Sequence, residues 1–173
     1  MANAIVALIV VGLMLMGTGM IAQSSLSSWD ELSESWKELE ARTGEISRTE
    51  IDVAAATIAT STSLSVTVEN TGQTSLQNFN KWDVFIQYYG VTGTLHQQRL
   101  AYTTSTPAAS QWTVSGIYMD ALSRTAEIYQ PDILDPAEQL VLSGILSASA
   151  SSTATHRVVV TTANGISASR TFP

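Results

Sequence analysis

The sequence predicts an α+β fold in which one long N-terminal helix, hydrophobic and then amphipathic, precedes an antiparallel β-sandwich. Residues 4–22 form an uncharged apolar run, and from Trp29 onward apolar residues recur every three or four positions, which is the helical period. After Arg48 the period changes to two, in short segments separated by turn residues. We therefore expect a helical region at 1–48 and a β-sandwich domain at 49–173.

The apolar run predicts a helix that is hydrophobic on every side. Residues 4–22 would form a helix about 28 Å long, close to the hydrocarbon thickness of a bilayer. A small soluble domain cannot bury such a rod. We expect a retained membrane anchor, or a helix that moves from a membrane into a protein core. A cleaved signal peptide is the weaker alternative, because no Lys or Arg precedes Lys37 and Met20 would stand where a small residue is preferred.

The second half of the predicted helix is charged apart from one apolar stripe. That stripe comprises Trp29, Leu32, Trp36, Leu39 and Ile46. Its spacing resembles a heptad pattern, in which the apolar seam packs against another helix. A seam with no partner in its own chain predicts partners in other chains. In the first half, Gly12 is a small residue of the kind that lets helices approach closely.

The remaining segments predict about eight short strands without an intervening helix. A strand region begins at Ile51, and residues 64–68 alternate strictly before a turn at 70–72. The further predicted strands are 82–89, 99–103, 112–119, 126–129, 139–145, 156–162 and 166–172. The last two are joined by Ala-Asn-Gly, a hairpin signal, and residues 147–155 predict a loop. Short strands at this spacing are typical of an antiparallel sandwich of immunoglobulin type.

Composition excludes several classes of function. The chain of 173 residues has 15 acidic and 8 basic residues, a formal charge of −7, which argues against a nucleic-acid partner. It has no cysteine, so disulfides and cysteine-based metal or nucleophilic sites are excluded.

The sequence contains no motif of catalysis. Sequence patterns of zinc proteases, α/β-hydrolases and P-loops are absent. His96 and His156 predict surface or strand-edge positions, since no partner lies at zinc-ligand spacing. Asp132, Asp135 and Glu138 form a carboxylate cluster, but two prolines beside them indicate ordinary turn chemistry rather than a cation site. We predict no catalytic residue, no metal, no cofactor and no small-molecule substrate.

Four short motifs in the β region carry a family resemblance. They are VENTG at 68–72, WDVFI at 82–86, LDPAE at 134–138, and the strand 156–162 followed by Asn-Gly. With the N-terminal helix before them, they make nearly the whole chain resemble the archaellins, the filament subunits of the archaeal motility organelle. The resemblance implies a relative of type IV pilins, whose N-terminal helix waits in the membrane and then forms the filament core. The β-domain would form the outer surface, and a separate ATPase would drive rotation.

Two positions depart from the patterns of these families. Ala137 stands where archaellins often carry glycine in a Pro-Gly-Glu turn. Ile5 is apolar, whereas a type IV pilin usually carries a glutamate as the fifth residue of its mature chain. If Met1 is the mature start, the apolar residue fits the archaellin branch rather than a bacterial pilin.

The leading functional hypothesis is a structural subunit of an archaellum filament that polymerises into a helical homo-oligomer. It predicts residence in the cytoplasmic membrane before assembly and an extracellular filament afterwards. The predicted self-assembly residues are Ile5, Leu8, Val11, Gly12, Leu15, Thr18, Ala22, Leu26, Trp29, Leu32, Trp36, Leu39 and Ile46. The alternative is a membrane-anchored accessory protein of the archaellum that grips the cell envelope or surface layer, since the same sandwich serves both roles. A membrane-tethered enzyme is the weakest hypothesis, because no convergent titratable groups are present.

Overall fold

The N-terminal part of the chain is one helix, α1, which spans Ala2–Arg48 in a computed structural model. The backbone is described over residues 2–173, and side chains over 3–18, 20, 29 and 31–173. The predicted assembly residues Ala22 and Leu26 therefore lie outside the described side chains. The chain divides into two compact units, Met1–Gly44 and Glu45–Pro173. The last turn of α1 belongs to the second unit, here called the β unit.

Nine strands and one short 3₁₀ helix build the β unit. The strands are β1 (Ile51–Thr60), β2 (Ser63–Asn70), β3 (Asp83–Tyr89), β4 (Leu95–Tyr102), β5 (Gln111–Asp120), β6 (Thr125–Ala126), β7 (Gln139–Ile145), β8 (His156–Thr161) and β9 (Ser167–Phe172), and the 3₁₀ helix is Phe79–Lys81. The strands alternate as half-buried segments should: in β2 and β7 every second residue is buried.

The strands pair in one continuous path with the order β1-β2-β7-β5-β4-β3-β8-β9, and β6 adds to β5. All pairings are antiparallel except the short step from β4 to β5, where Ala101 lies beside Gln111. The path nearly closes on itself, because Arg170 of β9 donates a hydrogen bond from Nη1 to the carbonyl oxygen of Val53 in β1, at 3.0 Å. The result is a mostly antiparallel sheet that is almost a barrel.

The interior of this sheet is filled by aliphatic and aromatic side chains from almost every strand. Trp112 lies at its centre, with its ring edge-on to Tyr102 at a centroid distance of 5.0 Å. Leu134 in a loop and Leu140 in β7 are fully buried. Each large apolar side chain removed from water in this way contributes about 1.5–3 kcal/mol, so the β unit has a core of its own.

The predicted fold class is wrong in two respects. An antiparallel immunoglobulin-like sandwich would have two separate sheets, whereas these strands form one nearly closed sheet with a parallel step. Alternation identifies strands but does not choose their neighbours, which are set by packing between distant segments. The prediction of a long hydrophobic helix is also wrong. In the described part of the chain, no helix combines the length and the apolar character that crossing a membrane requires.

Three local predictions also differ from the structure. Strand β4 begins at Leu95 rather than at 99, so that His96 lies in a strand and its ring stacks on Tyr88 at 5.0 Å. The predicted strand at 126–129 ends early, because the carboxylate of Glu127 accepts backbone hydrogen bonds in a turn. His156 begins β8 as predicted but is buried rather than on the surface, and its Nε2 lies 2.9 Å from the carbonyl oxygen of Ser151.

Candidate assembly surfaces

The first candidate surface is the apolar part of α1, where the described side chains are exposed on all sides. The exposed residues include the predicted assembly residues Ile5, Leu8, Val11 and Leu15. At Gly12 an added Cβ would have no atom within 4 Å. Thr18 turns its hydroxyl back to the helix and donates to the carbonyl oxygen of Met14 at 2.9 Å, so it presents its methyl group rather than a free donor. This surface is suited to apolar surroundings.

The second candidate surface is the predicted stripe. Leu32, Trp36 and Leu39 line one shallow groove along the helix, so the structure brings these three together on one face. Trp29 is also exposed, while Ile46 in the last turn of α1 is half-buried in the β unit. Ile46 therefore differs from the rest of the stripe, because its own unit already covers part of it.

The last turn of α1 is tied to the β unit by hydrogen bonds. Thr49 is buried and accepts a hydrogen bond at Oγ1 from Asn164 Nδ2, at 2.8 Å. The backbone N–H of Gln73 donates to the carbonyl oxygen of Arg48 at 2.8 Å. At Gly72 a Cβ would lie 2.4 Å from the backbone nitrogen of Glu50, so only glycine fits beside this turn. The turn at 70–72 thus fixes the chain where it leaves the helix.

Asn70, in the same turn region, is a buried polar residue. Its side-chain amide forms hydrogen bonds with backbone groups. Its Nδ2 donates to the carbonyl oxygens of Thr74 and Leu134 at 2.9 and 3.0 Å, and its Oδ1 accepts from Gly72 N at 3.1 Å. The asparagine therefore joins two segments that are 64 residues apart. A buried amide is tolerated because it is fully paired.

The carboxylate cluster predicted in the loop at 132–138 serves turn geometry. Asp135 Oδ1 accepts a hydrogen bond from Ser75 Oγ at 2.5 Å, and Glu138 Oε2 accepts one from Asp135 N at 2.8 Å. Burial raises the pKa of Glu138, and the negative charges of Glu127 and Asp135 raise it further, while the hydrogen bond from the Asp135 N–H lowers it. Among the described residues, no three His, Asp or Glu side chains are grouped as a metal site requires.

The β unit carries two exposed apolar patches that the sequence reasoning missed. Residues 45–173 are all described, and eight of their large hydrophobic residues are exposed. Four lie on or between β3 and β4: Phe85, Tyr89, Val91 and Leu95. The other four, Met119, Leu122, Ile128 and Tyr129, lie in residues 119–132, here called the arm. Apolar residues of the same types also fill the buried strands, so residue type alone could not distinguish exposed from buried positions.

A cleft of about 470 Å³ opens on the sheet beside the first patch, from which Phe85 contributes to its lining. Phe85 lies on the middle strand of the cleft, paired with Arg99 of β4 on one side and with Val159 of β8 on the other. Arg99 forms an ion pair with Asp83, with Nε 2.7 Å from Oδ1. Arg157 at the cleft edge donates to the hydroxyl of Ser169 at 3.1 Å. The cleft is therefore apolar at its centre and bordered by two guanidinium groups.

The fold of the chain is similar to that of archaellum proteins of known structure. Its sequence matches no family model and no curated protein. A structure of the archaellum periplasmic stator protein complex FlaF and FlaG from Sulfolobus acidocaldarius has a TM-score of 0.53 at 22% identity, over 72% of this chain and 89% of that chain. For the stator protein FlaG from the same organism the values are 0.51 and 23%, over 72% and 99%.

A third similar structure is the archaeal flagellin FlaB1 from Methanocaldococcus jannaschii. It has a TM-score of 0.52 at 12% identity, over 72% of this chain and 88% of that chain. At identities this low, the three similarities establish a shared fold alone. They are consistent with the β unit as the shared part, since 72% of 173 residues is about 125 residues and the β unit spans 45–173.

Proposed function

We propose that the protein is an accessory component of an archaellum, located at the cell envelope, whose β unit binds other proteins of that organelle. The observation that carries this proposal is the similarity to the stator protein FlaG, of which this chain covers 99% at 23% identity. The likeness to the flagellin is weaker in sequence, at 12% identity. In this role the apolar residues of α1 attach the protein, and the β unit is the part that recognises partners.

The β unit has the properties of a binding module rather than of an enzyme. Its core is filled, and a shallow cleft lined by Phe85, glutamines and arginines opens on its surface. In the 132–138 loop, the carboxylates of Asp135 and Glu138 accept hydrogen bonds from Ser75 Oγ and from Asp135 N. The arrangement supports contact with a protein surface and requires no cofactor.

A filament subunit is the second candidate function, and the exposed side chains of α1 favour it. Val11 and Leu15 are uncovered in the apolar half, and Trp36 is 66% exposed in the striped half. Identical helices from neighbouring subunits would cover both surfaces at once, and a head-to-tail contact that does not close generates a filament. An attachment segment needs only about 20 apolar residues, so the stripe is the feature that this hypothesis explains better.

The two candidate functions predict different locations of the chain in cells. Filaments sheared from the cell surface would be analysed by mass spectrometry and N-terminal sequencing, beside the envelope fraction that remains. For an accessory component, we expect the chain in the envelope fraction, crosslinked to other archaellum proteins and at most a trace constituent of the filaments. A chain that forms the main band of the filaments would overturn this proposal and establish the filament subunit.

A variant in α1 tests the role assigned to the helix in both cases. Val11→Asp places a charge in the apolar surface, which costs about 2.5–3.5 kcal/mol in an apolar environment. We expect the variant to be lost from the envelope fraction while the circular dichroism of the β unit stays native. Ser33→Asp, on an exposed position of the same helix, is the matched control and should remain attached. Equal attachment of both variants would show that the apolar residues of α1 are not the attachment surface.

A further inference from the structure

The two exposed patches of the β unit carry opposite charge. The strands that line the cleft, β3, β4 and β8, contain two arginines and one aspartate. The arm contains Asp120, Glu127 and Asp132 with one arginine, Arg124. In a chain with a net charge of −7, the cleft side is therefore the positive part of the sheet and the arm is negative. Each patch thus pairs apolar area with a charge that complements the other.

The large apolar side chains of the arm are exposed. Leu122 at the tip of the β5–β6 hairpin is 96% exposed, and Tyr129 is 94% exposed. The acidic residues hold the backbone of the arm in shape, since Asp120 accepts from Leu122 N at 2.9 Å and Glu127 accepts from Tyr129 N at 2.6 Å. The hydrogen bond from the Ser123 hydroxyl lowers the pKa of Asp120, and the one from Leu122 N adds to this. Large apolar side chains held outward in this way are typical of interaction sites.

The topology separates the arm from the cleft within one molecule. Strand β4 runs parallel to β5 and overlaps it only where Ala101 and Tyr102 meet Gln111 and Trp112. The cleft is lined by residues of β3, β4 and β8 and by no residue of the arm. Leu122 and Tyr129 of the arm are almost fully exposed, so the arm does not cover the cleft of its own chain, and a contact between them joins two copies.

We infer that the β unit carries a self-association site in which the arm of one copy docks on the cleft of a second copy. Leu122 and Tyr129 would cover Phe85 and Val159, and the acidic groups of the arm would face Arg99 and Arg157. Because two different surfaces meet, the contact is heterologous, and repetition of it gives a ring or an open chain of β units. This site lies outside α1 and does not depend on which of the two functions above the protein has.

Disulfide crosslinking of the full-length chain tests this contact, because the chain has no native cysteine. Two single variants would be prepared in detergent, Leu122→Cys in the arm and Gln97→Cys in the cleft; both positions are exposed. A head-to-tail contact predicts a crosslinked dimer when the two variants are mixed and little when either is oxidised alone. Leu122→Cys alone crosslinking as strongly as the mixture would overturn the inference in favour of an arm-to-arm contact, and no dimer above background in the mixture would also overturn it.

Association constants measured by sedimentation give an independent test that does not require a crosslink. We expect Leu122→Ser and Tyr129→Ser each to weaken self-association about tenfold, the usual effect of removing a central apolar contact. Both side chains are exposed, so the fold should be retained, which circular dichroism would verify. Ser152→Asp, an exposed position in the loop after β7, is the control and should associate as the unaltered chain does. Arm variants that associate as tightly as this control would overturn the inference.

Discussion

The helix and the β unit differ in whether their large apolar side chains are buried or exposed. In the β unit, Trp112 is 1% exposed and surrounded by side chains of its own chain. In α1, Trp36 is 66% exposed, and the described apolar residues of the first half are uncovered. The β unit therefore has an internal source of stability, whereas the helix has apolar surface that its own unit does not cover. The difference indicates that the β unit is stabilised by its own core and that α1 presents apolar surface for contacts.

A matched pair of tryptophan variants tests this comparison with the largest expected effect. Trp112→Ala removes a buried aromatic ring that packs on Tyr102, and we expect the free energy of unfolding of the β unit to fall by about 3–5 kcal/mol. Trp36→Ala should change it by no more than about 0.5 kcal/mol, since surface substitutions rarely exceed that. Denaturant unfolding of the full-length chain in detergent, followed by near-ultraviolet circular dichroism, measures both.

The same pair should show the reverse order in attachment or assembly. We expect Trp36→Ala to weaken association with the envelope or with other subunits, while Trp112→Ala affects it only through loss of the folded β unit. Equal destabilisation of the β unit by Trp36→Ala and Trp112→Ala would contradict the assignment of α1 to contacts and of the core to the β unit.

Local patterns predicted the strands well and the pairings poorly. The predicted strand 139–145 coincides with β7, because Leu140 and Leu142 alternate with half-buried residues. The parallel step between β4 and β5 places Trp112 beside Tyr102 of the preceding strand, and the alternation within either strand does not encode this pairing. Burial of His156 likewise depends on Tyr88 and Phe172, which come from other strands.

The candidate surfaces were predictable in the helix and not in the β unit. Spacing alone singled out Leu32, Trp36 and Leu39, and the structure places them along one groove; their role in assembly stays a prediction. The arm was not predicted because Ile128 and Tyr129 have the composition of a strand. Only the turn that Glu127 makes with the following backbone shows that they project into solvent.

A smaller change in the free energy of unfolding is expected on substitution of Ala137, in the 132–138 loop of the β unit. This residue has φ of 71°, a left-handed conformation that costs an alanine about 1–2 kcal/mol. Its N–H donates to the carbonyl oxygen of Asn70 at 2.8 Å, which holds the turn in place. Ala137→Gly removes the strain but adds freedom to the unfolded chain, so we expect a net stabilisation of about 0.5–1 kcal/mol. Ala108→Gly, whose φ is not positive, should not stabilise, and a gain there equal to that at 137 would exclude relief of strain as the cause.

The smallest expected effect is a pH dependence of the free energy of unfolding that comes from the carboxyl group of Glu138. Its pKa in the folded chain is raised above the ordinary value of 4.5, first by burial and then by Glu127 and Asp135. The folded state therefore holds this proton more tightly than the unfolded state, and the contribution to stability is greatest at low pH. As pH rises through 4.5 the unfolded chain loses the proton first, so the free energy of unfolding falls until the folded carboxyl also ionises.

Glu138→Gln should remove this decline, since the amide oxygen can still accept from Asp135 N but does not titrate. The measurement is the free energy of unfolding at several pH values on both sides of 4.5, with Glu34→Gln on the exposed face of α1 as the control for loss of one negative charge. A decline that is as steep in Glu138→Gln as in the control would assign it to other groups. The β unit would then depend on pH through its charge as a whole and not through this loop.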